Sequence, residues 1–222
     1  MTLTASSSPE TSPAVPEPSS APAPLALASA SPALVEQGRG ASNVLGTLLV
    51  IAAEAMILGT ILAAYFAIKG ASPDWPPKGV NVGTYVPTVV TITAVMSMFS
   101  MAWAVNAVRR HDVRNAVIAI VLTIVFGLAM ANAQLFGLAR VGFGAQKHAY
   151  GTLYYLLIGF HIAQLVAGLV MLLVVAARVL AGHFSAEDHQ PVRAVSYFWY
   201  WACAAWFAAL TALFLMSPHA TK

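Results

Sequence analysis

Thr152–Ala177 reads TLYYLLIGFHIAQLVAGLVMLLVVAA. It holds no Asp, Glu, Lys, Arg or Pro, and it is longer than the about 20 residues that carry an α-helix across a bilayer. Four more such runs lie outward from it: Val44–Ile68, Val86–Val108, Ala116–Ala139 and Val195–Met216. Proline is absent from their interiors; Pro87 falls in a first helical turn, where its missing N–H costs nothing, and Pro218 follows the last run. The connections Lys69–Tyr85, Arg109–Asn115, Arg140–Gly151 and Arg178–Arg193 are short and polar, with no room for a water-soluble domain. Backbone groups in lipid must bond within their own segment, so the runs read as helices. The fold class is all-α: a polytopic transmembrane bundle of five membrane-spanning helices.

Composition agrees. The 222 residues are 59% hydrophobic and 9% charged, with mean hydropathy +0.75, against about 25% charged in soluble domains. The net charge of +3 rests on too few charges to form a nucleic-acid surface. One cysteine, Cys203, excludes an internal disulfide and a cysteine-rich metal cage. Residues 1–41 differ: they hold seven of the 13 prolines amid Ser and Ala, and read as a disordered N-terminal tail. No Lys or Arg precedes the mild Leu25–Ala30 run, which Pro32 follows, so the tail does not read as a secretory signal. The five-helix transmembrane domain then covers 42–218.

Arg109, Arg110 and Arg114 form the densest basic cluster, which places that connection in the cytoplasm, the N-terminus inside and the C-terminus outside. Small residues four apart, as in Gly59/Ala63, Gly127/Ala131 and Ala163/Ala167, are expected to let helices approach closely. No internal repeat points to a transporter built of two inverted halves.

Of the eight acids, Glu54 alone falls within a span, and of the six histidines, His161 alone. Glu54 lies ten residues beyond Val44, about 15 Å along the helix and near mid-bilayer. An unpaired anion there costs several kcal/mol, so the carboxyl is neutral, paired or functional. His161 comes nine residues into a span that runs the opposite way, so the two are expected at similar depth and in hydrogen-bond contact; a core histidine bonded to a backbone carbonyl is the other reading. One membrane histidine is not a haem ligand set, and one Cys cannot bridge a binuclear copper centre. No phosphate loop, Ser/His/Asp grouping or close carboxylate pair occurs. The residues alone describe an accessory or scaffolding subunit, or a small carrier.

Ala53-Glu54-Ala55-Met56, Tyr65-Phe66 and Trp75-Pro76-Pro77-Lys78-Gly79 together resemble cytochrome c oxidase subunit III, whose family carries a Ser-Glu-Val stretch in a helix before a Trp-Pro-Pro-x-Gly loop. Pro87-Thr88 through Trp103-Ala104, Tyr150-Gly151-Thr152, Gly159-Phe160-His161, Ala167-Gly168, and Trp199 with Trp206 are similar to later family elements. The resemblance covers residues 44–216, in a short five-helix form without the first two helices of the common seven. Tyr200 and Cys203 stand where the family signature has His and Asp, Gln164 replaces a second His, and Gly137 replaces a Glu, while Gln134 is kept.

The resemblance implies a non-catalytic subunit of a proton-pumping haem-copper terminal oxidase in the respiratory chain of a bacterial inner membrane. Haems and copper are then expected in partner subunits, with none in this chain. Subunit I is the expected main partner, with subunit II and a small subunit IV in the same complex, and no nucleic acid. Glu54 and His161 are expected to line a cleft that holds phospholipid and supports proton uptake. Arg178 is expected at a lipid phosphate; plain interfacial snorkelling is its other reading. The open alternatives are an accessory subunit of a nitric-oxide reductase and a small membrane transporter that uses Glu54.

Overall fold

The computed structural model describes residues 32–181 and 190–216, with side chains from Ser42 onward. Five helices follow one another: α1 (Pro32–Ala71), α2 (Tyr85–Arg109), α3 (Val113–Arg140), α4 (Ala149–Leu180) and α5 (Gln190–Leu210), the last running into a π-helical turn, Thr211–Leu215. Each holds a stretch long and apolar enough to cross a membrane. Among the described residues there is no strand.

The helix ends follow local chemistry. α1 begins at Pro32, inside the stretch expected as tail. Proline suits a first helical turn, and no proline follows before Pro73, so nothing interrupts the helix ahead of the span. Residues 1–31 of the expected tail lie outside the described residues. Between α2 and α3 the chain needs only Arg110, His111 and Asp112 to reverse, tighter than the expected connection. His111 takes φ 59°, and the Asp112 side chain accepts from the Asn115 N–H at 3.1 Å, capping α3. At the start of α4, His148 Nδ1 accepts from the Gly151 N–H at 2.8 Å. Gly151 must be glycine there: a Cβ would come within 2.8 Å of the Gly144 carbonyl oxygen.

α2 and α3 form a closely packed hairpin, and α5 packs against α1, α2 and α4, with α4 also touching α3 and α1. α5 is therefore the central helix, with 56% of its apolar window buried, whereas α1 lies at the edge with 11%. In lipid no hydrophobic force drives helices together, so close packing and polar contacts must hold them. Trp199 supplies both. Its ring fills the space between α3 and α4 left by two glycines: a Cβ on Gly127 would stand 2.6 Å from the indole, and one on Gly168 3.0 Å. Its Nε1–H donates to Ser97 Oγ on α2 at 3.2 Å. One turn-pair further along α5, Trp206 Nε1–H donates to Thr91 Oγ1 at 3.0 Å. Ser100 and Thr123 join α2 to α3 through their hydroxyls at 2.6 Å.

Of the three small-residue pairs, only Gly127/Ala131 faces another helix of the chain. Gly59 and Ala63 on α1, and Ala163 and Ala167 on α4, are exposed. Gly168, not paired in that scheme beyond its neighbour Ala167, is the second glycine the packing needs.

At the bundle end that carries residues 72–84, aromatic residues close the structure. Trp75 Nε1–H donates to Tyr65 OH at 3.0 Å, and that hydroxyl donates to the Ala212 carbonyl at 2.8 Å. Trp75 also meets Tyr65 and Tyr150 edge to face, with centroids 5.4 and 5.3 Å apart. The π-helical turn frees carbonyls from the regular ladder, and Tyr65 takes up one of them; Lys69 bonds the carbonyl of Met216.

Candidate functional site

Two polar contacts sit on adjacent turns of α4, deep in the bundle. Glu54 of α1 is half-buried, and its Oε2 accepts from Gln164 Nε2 on α4 at 2.9 Å and from Trp201 Nε1 on α5 at 3.1 Å. Three residues earlier on α4, His161 Nδ1 lies 2.6 Å from Gln134 Nε2 on α3. That contact ties α4 to α3. The imidazole also lies against Trp206, centroids 5.3 Å apart. Gln134, His161 and Gln164 are each no more than 2% exposed.

The expected hydrogen bond between Glu54 and His161 is not formed. The two are on neighbouring turns, but α4 presents Gln164 to α1 and His161 to α3. Both donors to Glu54 are neutral and share Oε2. The Gln134 and Gln164 carbonyl oxygens are buried without a partner among the described residues. Glu54 is the one acid within the described spans.

Arg178 is exposed in the last turn of α4, fourteen residues beyond Gln164 and about 21 Å along the axis, so it is not part of this cluster. A cation there complements the C-terminal end of the helix dipole. Two of the positions that depart from the family pattern, Cys203 and Gly137, are buried between helices. Cys203 is buried, its Sγ 3.7 Å from Ser97 Oγ. Gly137 faces Val86, where a Cβ would already come to 3.0 Å, so an acid at that position would displace α2. No group of three or more His, Cys, Asp or Glu able to share a metal ion occurs among the described residues.

Sequence reasoning did not single out Gln164 or Trp201 as partners of Glu54. A signal existed: an indole N–H in a span is a donor that needs an acceptor, and the spans offer one carboxyl.

The sequence model of the family described as cytochrome c oxidase subunit III matches residues 35–217. The chain is 27% identical over 176 residues to cytochrome c oxidase subunit 3 of Thermostichus vulcanus, covering 79% of this chain and 88% of that one. It is 26% identical over 175 residues to a probable cytochrome c oxidase subunit 3 of Mycobacterium tuberculosis, covering 77% and 86%. It is 25% identical over 173 residues to the Synechocystis protein of the same name, covering 77% and 74%. The similarity decides between the readings that the residues left open. With a match that runs through all five membrane-crossing helices, this multi-pass chain belongs to the cytochrome c oxidase subunit III family and is a subunit of a haem-copper oxidase complex.

Proposed function

We propose that the chain is the non-catalytic subunit III of a terminal oxidase in a bacterial inner membrane, packed on subunit I, with subunit II and a small subunit IV in the same complex. Haems and copper then sit in those partners. Glu54 is the group through which the chain acts on proton supply. The observation that supports this is the way Glu54, the one acid within the described spans, is held: two neutral donors, Gln164 and Trp201, fix its Oε2 at the edge of the bundle. His161 keeps its place one turn away as the anchor between α4 and α3, and Arg178 serves a lipid phosphate at the far end of α4. The turn with Arg109, Arg110 and Arg114 shares its end of the bundle with Arg178 and Arg193, which supports a cytoplasmic position for that end and for the N-terminus.

The test is purification through a C-terminal tag, with spectra of the product. Recovery of this chain in fixed ratio with a haem-bearing subunit supports the proposal. A haem-free homo-oligomer from native membranes overturns it.

A further inference from the structure

Three buried polar atoms inside the bundle lack a hydrogen-bond partner among the described residues: Gln134 Oε1 on α3, and His161 Nε2 and Gln164 Oε1 on α4. Their residues are no more than 2% exposed. The first two belong to one contact. Gln134 Nε2 stands 2.6 Å from His161 Nδ1, and the orphaned atoms are the other arm of that amide and the other nitrogen of that ring. The third lies three residues along α4 from His161, a spacing that makes the two side chains neighbours on the helix surface. Gln164 commits its Nε2 to Glu54, so its oxygen is the arm left over.

Buried polar groups are costly when unmet, and folded proteins satisfy nearly all of them. The Ala202 carbonyl of α5 acts on the imidazole from close by, yet a direct bond from the ring to it would serve His161 alone and leave both amide oxygens unmet. A side chain of another subunit does not reach the three atoms, because this chain's own helices enclose them. What fits is a molecule small enough to be enclosed that both donates and accepts. Water does so, and in buried sites it makes about three hydrogen bonds. It also serves either assignment of the His161–Gln134 contact. Exchanging the amide arms together with the imidazole proton turns the orphaned pair from acceptor and donor into donor and acceptor, and water meets both.

We propose that one internal water sits among Gln134, His161 and Gln164 and is hydrogen-bonded to all three. Through it the His161–Gln134 contact and the Gln164–Glu54 contact become one polar network that joins α1, α3 and α4, with Trp201 as its member on α5. His161 and Glu54 are then linked although they do not touch. The site rests on the side-chain geometry alone and is independent of any role for Glu54 in proton supply.

The test is a cryo-electron microscopy map of the intact oxidase complex, sharp enough to show ordered water, for the parent and for His161→Phe. The parent is expected to show one water peak about 2.5–3.2 Å from a polar atom of each of the three residues. The variant, which removes the ring nitrogens and keeps an aromatic ring against Trp206, is expected to lose that peak. If His161→Phe does not assemble, the parent map decides alone. A parent site without the peak, an imidazole bonded to the Ala202 carbonyl with no water beside it, or a peak unchanged in His161→Phe overturns the proposal.

Discussion

Gln164 donates to Glu54 across the contact between α4 and α1, Nε2 to Oε2 at 2.9 Å, while His161, three residues earlier, turns to Gln134 on α3 at 2.6 Å. One helix therefore holds two polar contacts apart. Gln164→Leu should remove one of the two donors to Glu54 and loosen α1 while leaving the His161–Gln134 contact in place. Hydrogen bonds of this kind in membranes contribute about 0.6–1.7 kcal/mol. The expected outcome is faster proteolysis of α1 with α3–α4 protection unchanged; equal loss in both regions contradicts it.

Trp199 should be the most costly residue of the bundle to alter. Trp199→Ala leaves a cavity between Gly127 and Gly168 and strips Ser97 of a donor. Core truncations of this size cost about 3–5 kcal/mol. Gly127→Leu presses on the same ring from the other side, and overpacking costs about 1–3 kcal/mol. Steric unfolding by denaturant titration in detergent should rank Trp199→Ala below Gly127→Leu, and both below the parent.

Tyr65 links loop and bundle through one hydroxyl, accepting from Trp75 and donating to Ala212. Tyr65→Phe keeps the ring and deletes both bonds. Residues 72–84 should become more accessible to protease, with the helices unchanged. Equal protection in both proteins would show that aromatic packing alone holds the loop.

The Asn115 backbone N–H, and then its side-chain amide, hold the Asp112 carboxyl below its ordinary range. Because the folded value is the lower one, the stabilisation is present above the unfolded value and is lost as pH falls through the folded one. The protection of the Asn115 amide against exchange, relative to its intrinsic rate at the same pH, should therefore fall at acid pH. Asp112→Asn keeps a good cap without a titrating group, so its exchange should lose that acid-dependent opening.

Much of the architecture is legible in the sequence because span length and hydropathy depend on residue type alone. Glu54 stood out for the same reason, as the one acid in a span. The facing of each helix is less legible. These helices are apolar on nearly every side, so no polar stripe tells which residues point inward. Gly59/Ala63 and Ala163/Ala167 accordingly had the right spacing and the wrong face, and His161 could not be told from Gln164 as the partner of Glu54. The early start of α1 at Pro32 depends on the absence of later breakers, a weaker signal than the prolines before it.

The central claim is that Glu54 supports a reaction whose redox centres lie in other chains. Oxygen consumption by the purified complex carrying Glu54→Gln, with all subunits and haems present, tests it most directly. The account predicts a loss of a few fold, well below the ~10²-fold of a group that moves a proton in the chemical step. Abolished oxygen reduction in that intact complex would contradict it and make Glu54 an obligatory proton carrier.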